Sequence, residues 1–163
     1  MRIACGATQG LALGANLPVF GVGTLLALAH ASGHARVIAA LDARMGEIYH
    51  AAYELREGEW LTLSEPCFCK AAAAPVLAGQ NWFGIGSGFA AYEADLQQRY
   101  AGQLVGLDNT AVPHAAAIAE LGALAFFQGK GVDAALAQPL YVRDKVALKT
   151  LEREAIAQAK LDA

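Results

Sequence analysis

The chain has 163 residues, of which 56% are hydrophobic and 17% are charged, and its formal net charge is −3. This length allows one domain with its own core or two small lobes. Acidic and basic residues are interspersed, so the chain lacks the basic patch that is typical of proteins that bind nucleic acid strongly. The cysteines number three, an odd count that argues against a disulfide scaffold and indicates a reducing, cytoplasmic environment.

The longest stretch without a charged residue covers residues 3–35, but glycines, a proline and polar side chains interrupt it. A membrane-spanning helix needs about 20 predominantly apolar residues in one run. We therefore expect no membrane association, and we see no secretory signal.

The start of the chain predicts a helix, a strand and a second helix. Residues 2–13 have helical apolar spacing, and Gly14 is the expected stop. A short buried strand is predicted over residues 17–22. Thr24 is the predicted N-cap of a helix over residues 25–31.

One face of the first helix is unusually flat, because it carries the small residues Ala4, Gly6, Ala7 and Gly10. Such a face permits close approach of another helix. The two glycines each cost about 1 kcal/mol of helix propensity, and a helix this short is marginal in isolation. We therefore expect neighbouring structure to stabilise it.

Residues 36–55 predict a β-hairpin. The apolar run 37–41 is nearly continuous, which is typical of a central strand buried on both faces. Turn chemistry follows over residues 42–46, and Gly46 supplies the positive φ that a loop of three to five residues needs. The loop should lie at an end of the sheet.

Asp42, Arg44 and Glu47 form a tight cluster of opposite charges on that loop. A carboxylate in this position can hold magnesium or act as a base, as in a phosphotransferase. The alternative is an Asp–Arg pair that merely pins the turn.

The rest of the chain predicts three more strands and several helices. Strands are expected at 59–63, 82–85 and 104–107, and helices at 71–78, 90–100 and from Pro113 to about 127. The last of these helices has a predicted apolar stripe, formed by Ile118, Leu121, Leu124, Ala125 and Phe126. Residues 138–144 should be extended, and residues 149–163 predict a charged helix.

Gly84, Gly86 and Gly88 follow a strand and precede a helix, as a phosphate-cradling loop does. Their spacing matches neither the GxGxxG nor the GxxxxGK[ST] pattern. A tight strand-to-helix turn explains the glycines equally well.

No metal site is expected. His30 and His34 lie four residues apart, but Ser32 and Gly33 break the helix between them. The Cys67-Phe68-Cys69 pair lacks a second pair of ligands, so buried free thiols are the simpler interpretation. Known serine-nucleophile and zinc-protease motifs do not occur.

Several runs, in order, resemble the bacterial TsaB (YeaZ) family. They are RIACGATQGLALG, LPVFGVGTL, VIAALDARMGEIYHAAY, GIGSG and QPLYVR. The resemblance implies an α/β fold of the ASKHA (actin-like/Hsp70-like ATPase) type with two related lobes. It also implies a non-catalytic subunit that dimerises with the catalytic TsaD subunit, in a complex that forms threonylcarbamoyladenosine at position 37 of tRNA. A TsaE-like ATPase joins this complex.

The family's usual N-terminal region, with its GPGSFTG-like turn, is not found before Arg2. We therefore expect an incomplete first lobe, with 1–35 as its remnant and 36–163 as the second lobe, whose tail returns to the first. Without those strands, the chain should expose apolar surface and self-associate.

The resemblance also assigns site residues. The partner interface is expected on the first helix, at Arg2, Ile3, Gly6, Ala7, Gly10 and Leu11. Vestigial nucleotide-facing positions are expected at Asp42, Arg44, Gly46, Gly84, Gly86 and Gly88. No cofactor is expected here, since ATP and magnesium are used by the partner subunits. Alternatives are a glycopeptidase-like peptidase and a protein with residual ATP binding.

Overall fold

A mixed five-stranded sheet organises residues 2–143, the part of the chain that this computed structural model describes. Its strands are β1 (Arg36–Arg44), β2 (Glu47–Arg56), β3 (Glu59–Lys70), β4 (Trp82–Ile85) and β5 (Leu104–Asp108). They lie in the order β3-β2-β1-β4-β5. The first three strands form an antiparallel meander, while β4 runs parallel to β1 and β5 runs parallel to β4.

The helices are α1 (Arg2–Ala15), α2 (Thr24–Ala31), α3 (Ser87–Ala91), α4 (Glu93–Arg99) and α5 (Ala115–Phe127). Single 3₁₀ turns occur at Ala71–Ala73 and Ala134–Leu136. None of the described helices has the length and apolarity that crossing a bilayer requires.

β1 is the central strand, and its burial on both faces is confirmed. Residues 37–40 have no exposed surface. Ile38 and Ala40 belong to the core that includes Trp82, Phe89 and Tyr100. Val37 and Ala39 face the opposite way, into the core formed with α2. The continuous apolar run arises because each face of β1 has a helical cover.

Both hairpin turns contain two residues, so the predicted loop of three to five residues is wrong. Arg44 pairs with Glu47 across the turn Met45–Gly46, where φ is 59° and 80°. The second turn has Glu57 at φ 54° and Gly58 at φ 84°. Two positive φ values mark type I′ turns, which match the twist of the flanking strands. A bulge between Asp42 and Arg44 absorbs the extra residue.

Several predicted elements differ from the structure in extent. The strand over 17–22 is replaced by one isolated bridge between Val19 and Val132. α2 begins at Thr24 itself, with Gly23 as its N-cap and no side-chain capping bond. The helix over 71–78 is one 3₁₀ turn, because the residue before Pro75 is extended (Ala74, ψ 148°).

α1 runs past Gly14 to Ala15 and ends at Asn16, whose φ is 53°. Asn16 N–H donates to Leu13 O and Leu17 N–H donates to Ala12 O, which is a Schellman motif. Asparagine therefore supplies the left-handed residue that was expected of Gly14.

The later helices also depart from expectation. The helix over 90–100 is divided at Tyr92 into α3 and α4. In α5 the buried residues are Ala117 and Leu121, which pack beside Ala27 of α2. The remainder of the predicted stripe is more exposed than expected, with Phe126 56% exposed. The predicted helix over 149–163 lies outside the described residues.

A buried polar contact joins β2 to the end of α4. His50 has no exposed surface, and its Nε2 lies 2.8 Å from the hydroxyl oxygen of Tyr100. The Tyr100 hydroxyl donates to Pro75 O at 3.0 Å, so its oxygen accepts from His50. Burial lowers the pKa of His50 from 6.5 to about 4. His50 is therefore neutral in the folded protein at neutral pH.

This histidine should make the stability pH-dependent. Unfolding restores the ordinary pKa of 6.5, so the unfolded chain binds a proton that the folded protein excludes. The contribution is complete above pH 6.5 and falls by about 3 kcal/mol as the pH decreases to 4. Urea unfolding at several pH values should show that His50→Gln lacks this component. The exposed His114→Gln serves as the control, and parallel pH profiles for wild type and His50→Gln would contradict the assignment.

Candidate functional site

The inner face of α1 is defined by Cys5, Gln9 and Ala12, which are less exposed than their neighbours. Gln9 Nε2 donates to Ala134 O at 3.1 Å and to Ala137 O at 2.8 Å. These contacts attach α1 to the segment after α5. Spacings of four and three residues place the inner residues on one side of the helix. Arg2 lies on that side too, three residues before Cys5, and Gly6 borders it, whereas the other predicted interface residues fall elsewhere.

The outer face of α1 is open. Ile3 is 89% exposed and Leu11 is 77% exposed. Apart from the backbone of the helix itself and the adjacent residues, Gly6 and Gly10 have no atom within 4 Å of where a Cβ would stand, and the same is true of Gly14. Ala7 is exposed between them. The three glycines therefore form a row at intervals of four residues, and Gly14 belongs to this row because the helix continues through it to Ala15.

Arg2, the remaining predicted interface residue, sits at the start of this helix. Its Nε donates to the Tyr141 hydroxyl at 2.8 Å, and its guanidinium carbon lies 5.6 Å from the Tyr141 ring centroid. Arg2 thus joins α1 to Tyr141 on the inner side of the helix.

A second group lies at the end of β1, where Asp42 is held by its neighbours. Its Oδ1 accepts from Arg44 N–H at 2.8 Å and from the Tyr92 hydroxyl at 2.9 Å. The Arg44 N–H bond is the main cause that lowers the pKa of Asp42, opposed by desolvation and aided by Tyr92 and the Arg44 charge. Gly46 N–H donates to the Tyr92 oxygen at 3.2 Å. The pinned-turn interpretation accounts for these contacts.

The predicted cluster of opposite charges forms only in part, because Arg44 pairs with Asp42 whereas Glu47 pairs with a different arginine. Arg44 Nη1 lies 3.5 Å from Asp42 Oδ2, and Glu47 Oε2 lies 3.6 Å from Arg143 Nη2. Over residues 2–143, no three His, Cys, Asp or Glu side chains converge as a metal-ligand group. Tyr92, which sequence reasoning missed, gave no signal because it lies 50 residues from Asp42.

Packing accounts for each glycine of the 84–88 turn. A Cβ on Gly84 would stand 2.8 Å from the Phe89 ring. On Gly86, where φ is 105°, it would stand 2.5 Å from Ala40 O, and on Gly88 it would stand 2.9 Å from Ala40 Cβ. The glycines thus let the turn from β4 into α3 pack directly against the backbone of β1.

The two histidines and the two neighbouring cysteines that the sequence analysis considered as metal ligands have other roles in the packing. Trp60 Nε1 donates to His30 Nδ1 at 3.2 Å, and His30 Nε2 lies 2.9 Å from Glu120 Oε2. The His34 ring packs on Phe83 at a centroid distance of 3.7 Å. Cys69 is a free, partly buried thiol whose pKa is raised by burial to about 12.

Replacing Gly86 with alanine should destabilise the protein without any ligand present. The Cβ would contact a backbone oxygen, and the residue would keep a φ that L-residues rarely adopt. We expect a loss of about 2–4 kcal/mol in the free energy of unfolding, measured in urea. Gly10→Ala is the control and should be neutral or stabilising, since its surroundings are open. Equal, small effects would contradict the packing role.

A substitution at Met45, in the first type I′ turn, should make the protein more stable. Met45 is 83% exposed with φ 59°, where asparagine is preferred. Met45→Asn should raise the free energy of unfolding by about 0.5–1 kcal/mol, and Met45→Val should lower it. Thermal melting of both variants tests this expectation, which fails if asparagine and valine change the melting temperature in the same direction.

Comparisons with known proteins agree with this architecture. The family described as TsaD, tRNA N6-adenosine threonylcarbamoyltransferase, matches residues 1–150. The tRNA threonylcarbamoyladenosine biosynthesis protein TsaB of Escherichia coli is 36% identical over 160 residues, covering 93% of this chain and 68% of that protein. Its namesake from Haemophilus influenzae is 32% identical over 165 residues, covering 93% and 67%.

Two solved structures from Pseudomonas aeruginosa are similar. One, described as similar to the peptidase YeaZ, has a TM-score of 0.77 and 36% identity over 87% of this chain and 67% of its own. The other, YeaZ, has a TM-score of 0.73 and 34% identity over 86% and 67%.

The mixed α/β sheet and these matches define an ASKHA-type protein related to threonylcarbamoyltransferases, which confirms the predicted fold class. Within that class, the chain belongs to the TsaB (YeaZ) family.

Proposed function

We propose that this chain is a non-catalytic subunit in the formation of N6-threonylcarbamoyladenosine at position 37 of tRNA, and that it dimerises with a TsaD-like catalytic subunit. Membership of the TsaB family supports a role in this tRNA modification. The observation that carries the partner role is the outer face of α1, which is open along its length.

This face has the composition of a helix-docking surface. Gly6, Gly10 and Gly14 let a second helix approach closely, and Ile3 and Leu11 supply apolar side chains beside them. Burying a large apolar side chain contributes about 1.5–3 kcal/mol. α1 has 14 residues, a length that is marginal for an isolated helix, and Ala12 is its one buried residue. A docked helix would therefore stabilise α1 as well as join the subunits.

The proposal also assigns the remaining roles. The TsaD-like subunit carries the chemistry, and a TsaE-like ATPase joins the assembly, so ATP and magnesium are used outside this chain. We propose a cytoplasmic location, in keeping with three free thiols. Strong direct contact with tRNA is not part of the proposal, given the net charge of −3.

Self-association of the 163-residue chain is a related proposal. Large apolar side chains are also exposed on α5 and nearby segments, among them Leu17, Leu124, Phe127, Leu136 and Leu140. Exposed patches of this kind mark interaction surfaces. Sedimentation velocity at increasing concentration tests it, and a monodisperse monomer would refute it.

The docking face can be tested by making the same position larger in two steps. Gly10→Ala should stabilise α1 by about 1 kcal/mol in the free chain, yet weaken binding to the TsaD-like subunit, because a methyl group separates the helices. Gly10→Phe should abolish the heterodimer in size-exclusion chromatography. If Gly10→Ala raises the stability of the free chain and lowers its affinity for the TsaD-like subunit, misfolding of the variant does not explain the weaker binding.

The matched control is Gly122→Phe, which places the same side chain at an open position in α5. It should leave the heterodimer intact. Absence of a wild-type complex, with both proteins folded, would remove the proposal. A complex that tolerates Gly10→Phe would place the interface elsewhere.

A further inference from the structure

α1 is held by a segment far away in sequence. We call residues 133–143 the strap; it begins at Asp133, whose side chain accepts from Ala135 N–H at 2.8 Å. Within residues 2–143, the recorded side-chain hydrogen bonds from α1 to other segments end on the strap. They come from Arg2, Cys5 and Gln9.

Gln9 makes the most specific of these contacts. Its amide nitrogen has two N–H groups, and two strap carbonyls, Ala134 O and Ala137 O, accept from it. Both donors are therefore used, which fixes the azimuth of the helix about its own axis. That azimuth decides which residues of α1 face outward.

The strap is in turn fastened to the sheet. Arg143 places its guanidinium carbon 4.5 Å from the Phe68 ring centroid and its Nη2 3.6 Å from Glu47 Oε2. Tyr141, which contacts Arg2, is two residues away, a span of at most about 7 Å. The strap residue that contacts α1 and the strap residue that contacts β2 and β3 are thus close neighbours in the chain.

We propose that Gln9 and Arg143 are positioning residues for partner docking: through the strap they hold the glycine row of α1 at a fixed orientation to the sheet. The partner is a protein that presents a helix to that row, and this inference rests on the proposed function above. A helix that is already oriented loses less conformational freedom on binding, so affinity rises without any new contact. Neither residue belongs to the outer face, which distinguishes them from Gly10 and Leu11.

The test combines hydrogen exchange with affinity. Gln9→Glu keeps the shape of the side chain but turns a donor toward two carbonyls into an acceptor. Amide exchange in α1 of the free full-length chain should accelerate by about tenfold or more, while exchange in β1 stays unchanged. The dissociation constant for the TsaD-like subunit, measured by calorimetry, should rise by about tenfold. Gln9→Lys, which restores donors, should recover part of both.

Two further variants complete the design. Gln98→Glu on the exposed surface of α4 makes the same chemical change and should alter neither measurement. Arg143→Lys keeps the charge near Glu47 but loses the planar contact with Phe68, so it should give an intermediate effect.

The possible failures are separable. Unchanged α1 exchange in Gln9→Glu would overturn the strap as the support of α1. Faster exchange with a dissociation constant within about twofold of wild type would overturn the positioning role. Absence of wild-type binding would refute the proposed function instead, while the exchange experiment would still report on the strap.

Discussion

The close packing around the middle of β1 is the constraint on which the rest of the structure depends. Ala39 and Ala40 have no exposed surface and lie on opposite faces of the strand. Small side chains there let α2 pack on one face. On the other face they let α3 approach so closely that Gly86 and Gly88 lie against Ala40. β1 also pairs with β2 on one side and β4 on the other, so it links the antiparallel and parallel halves of the sheet. A larger residue at Ala40 would push α3 away from the strand. It would also displace Tyr92, which follows α3 and holds both Asp42 and the hairpin turn.

The sheet could be predicted from the sequence because its signals are local. The apolar run at 37–41, the turn chemistry beside it and the three glycines at 84–88 each reflect a pattern of neighbouring residues. What failed depended on distant partners. The predicted strand at 17–22 has one bridge to Val132, and α5 buries a narrower stripe because it meets α2 mainly through Ala117 and Leu121. Spacing alone cannot show how wide a contact will be.

The candidate site divides in the same way. The flat face of α1 follows from the residues of one helix, so the sequence shows it directly. The contacts that hold Asp42 and the inner face of α1 involve Tyr92, Ala134 and Ala137, which lie 50 to 128 residues away from the groups they meet. The glycines of the 84–88 turn show the opposite case. Their pattern is clear in the sequence, but two physical explanations fit it, and the distances to Ala40 and Phe89 favour packing.

The strap also has a consequence for the order of events during synthesis. α1 leaves the ribosome well before the strap, because Tyr141, which meets Arg2, is made 139 residues later. At about 5–20 residues per second, the nascent helix spends several seconds or more without the segment that holds it. Its apolar residues, such as Ile3 and Leu11, are accessible throughout that interval. Among the described residues, α1 is therefore one of the last parts to acquire its place in the fold, although it is made early.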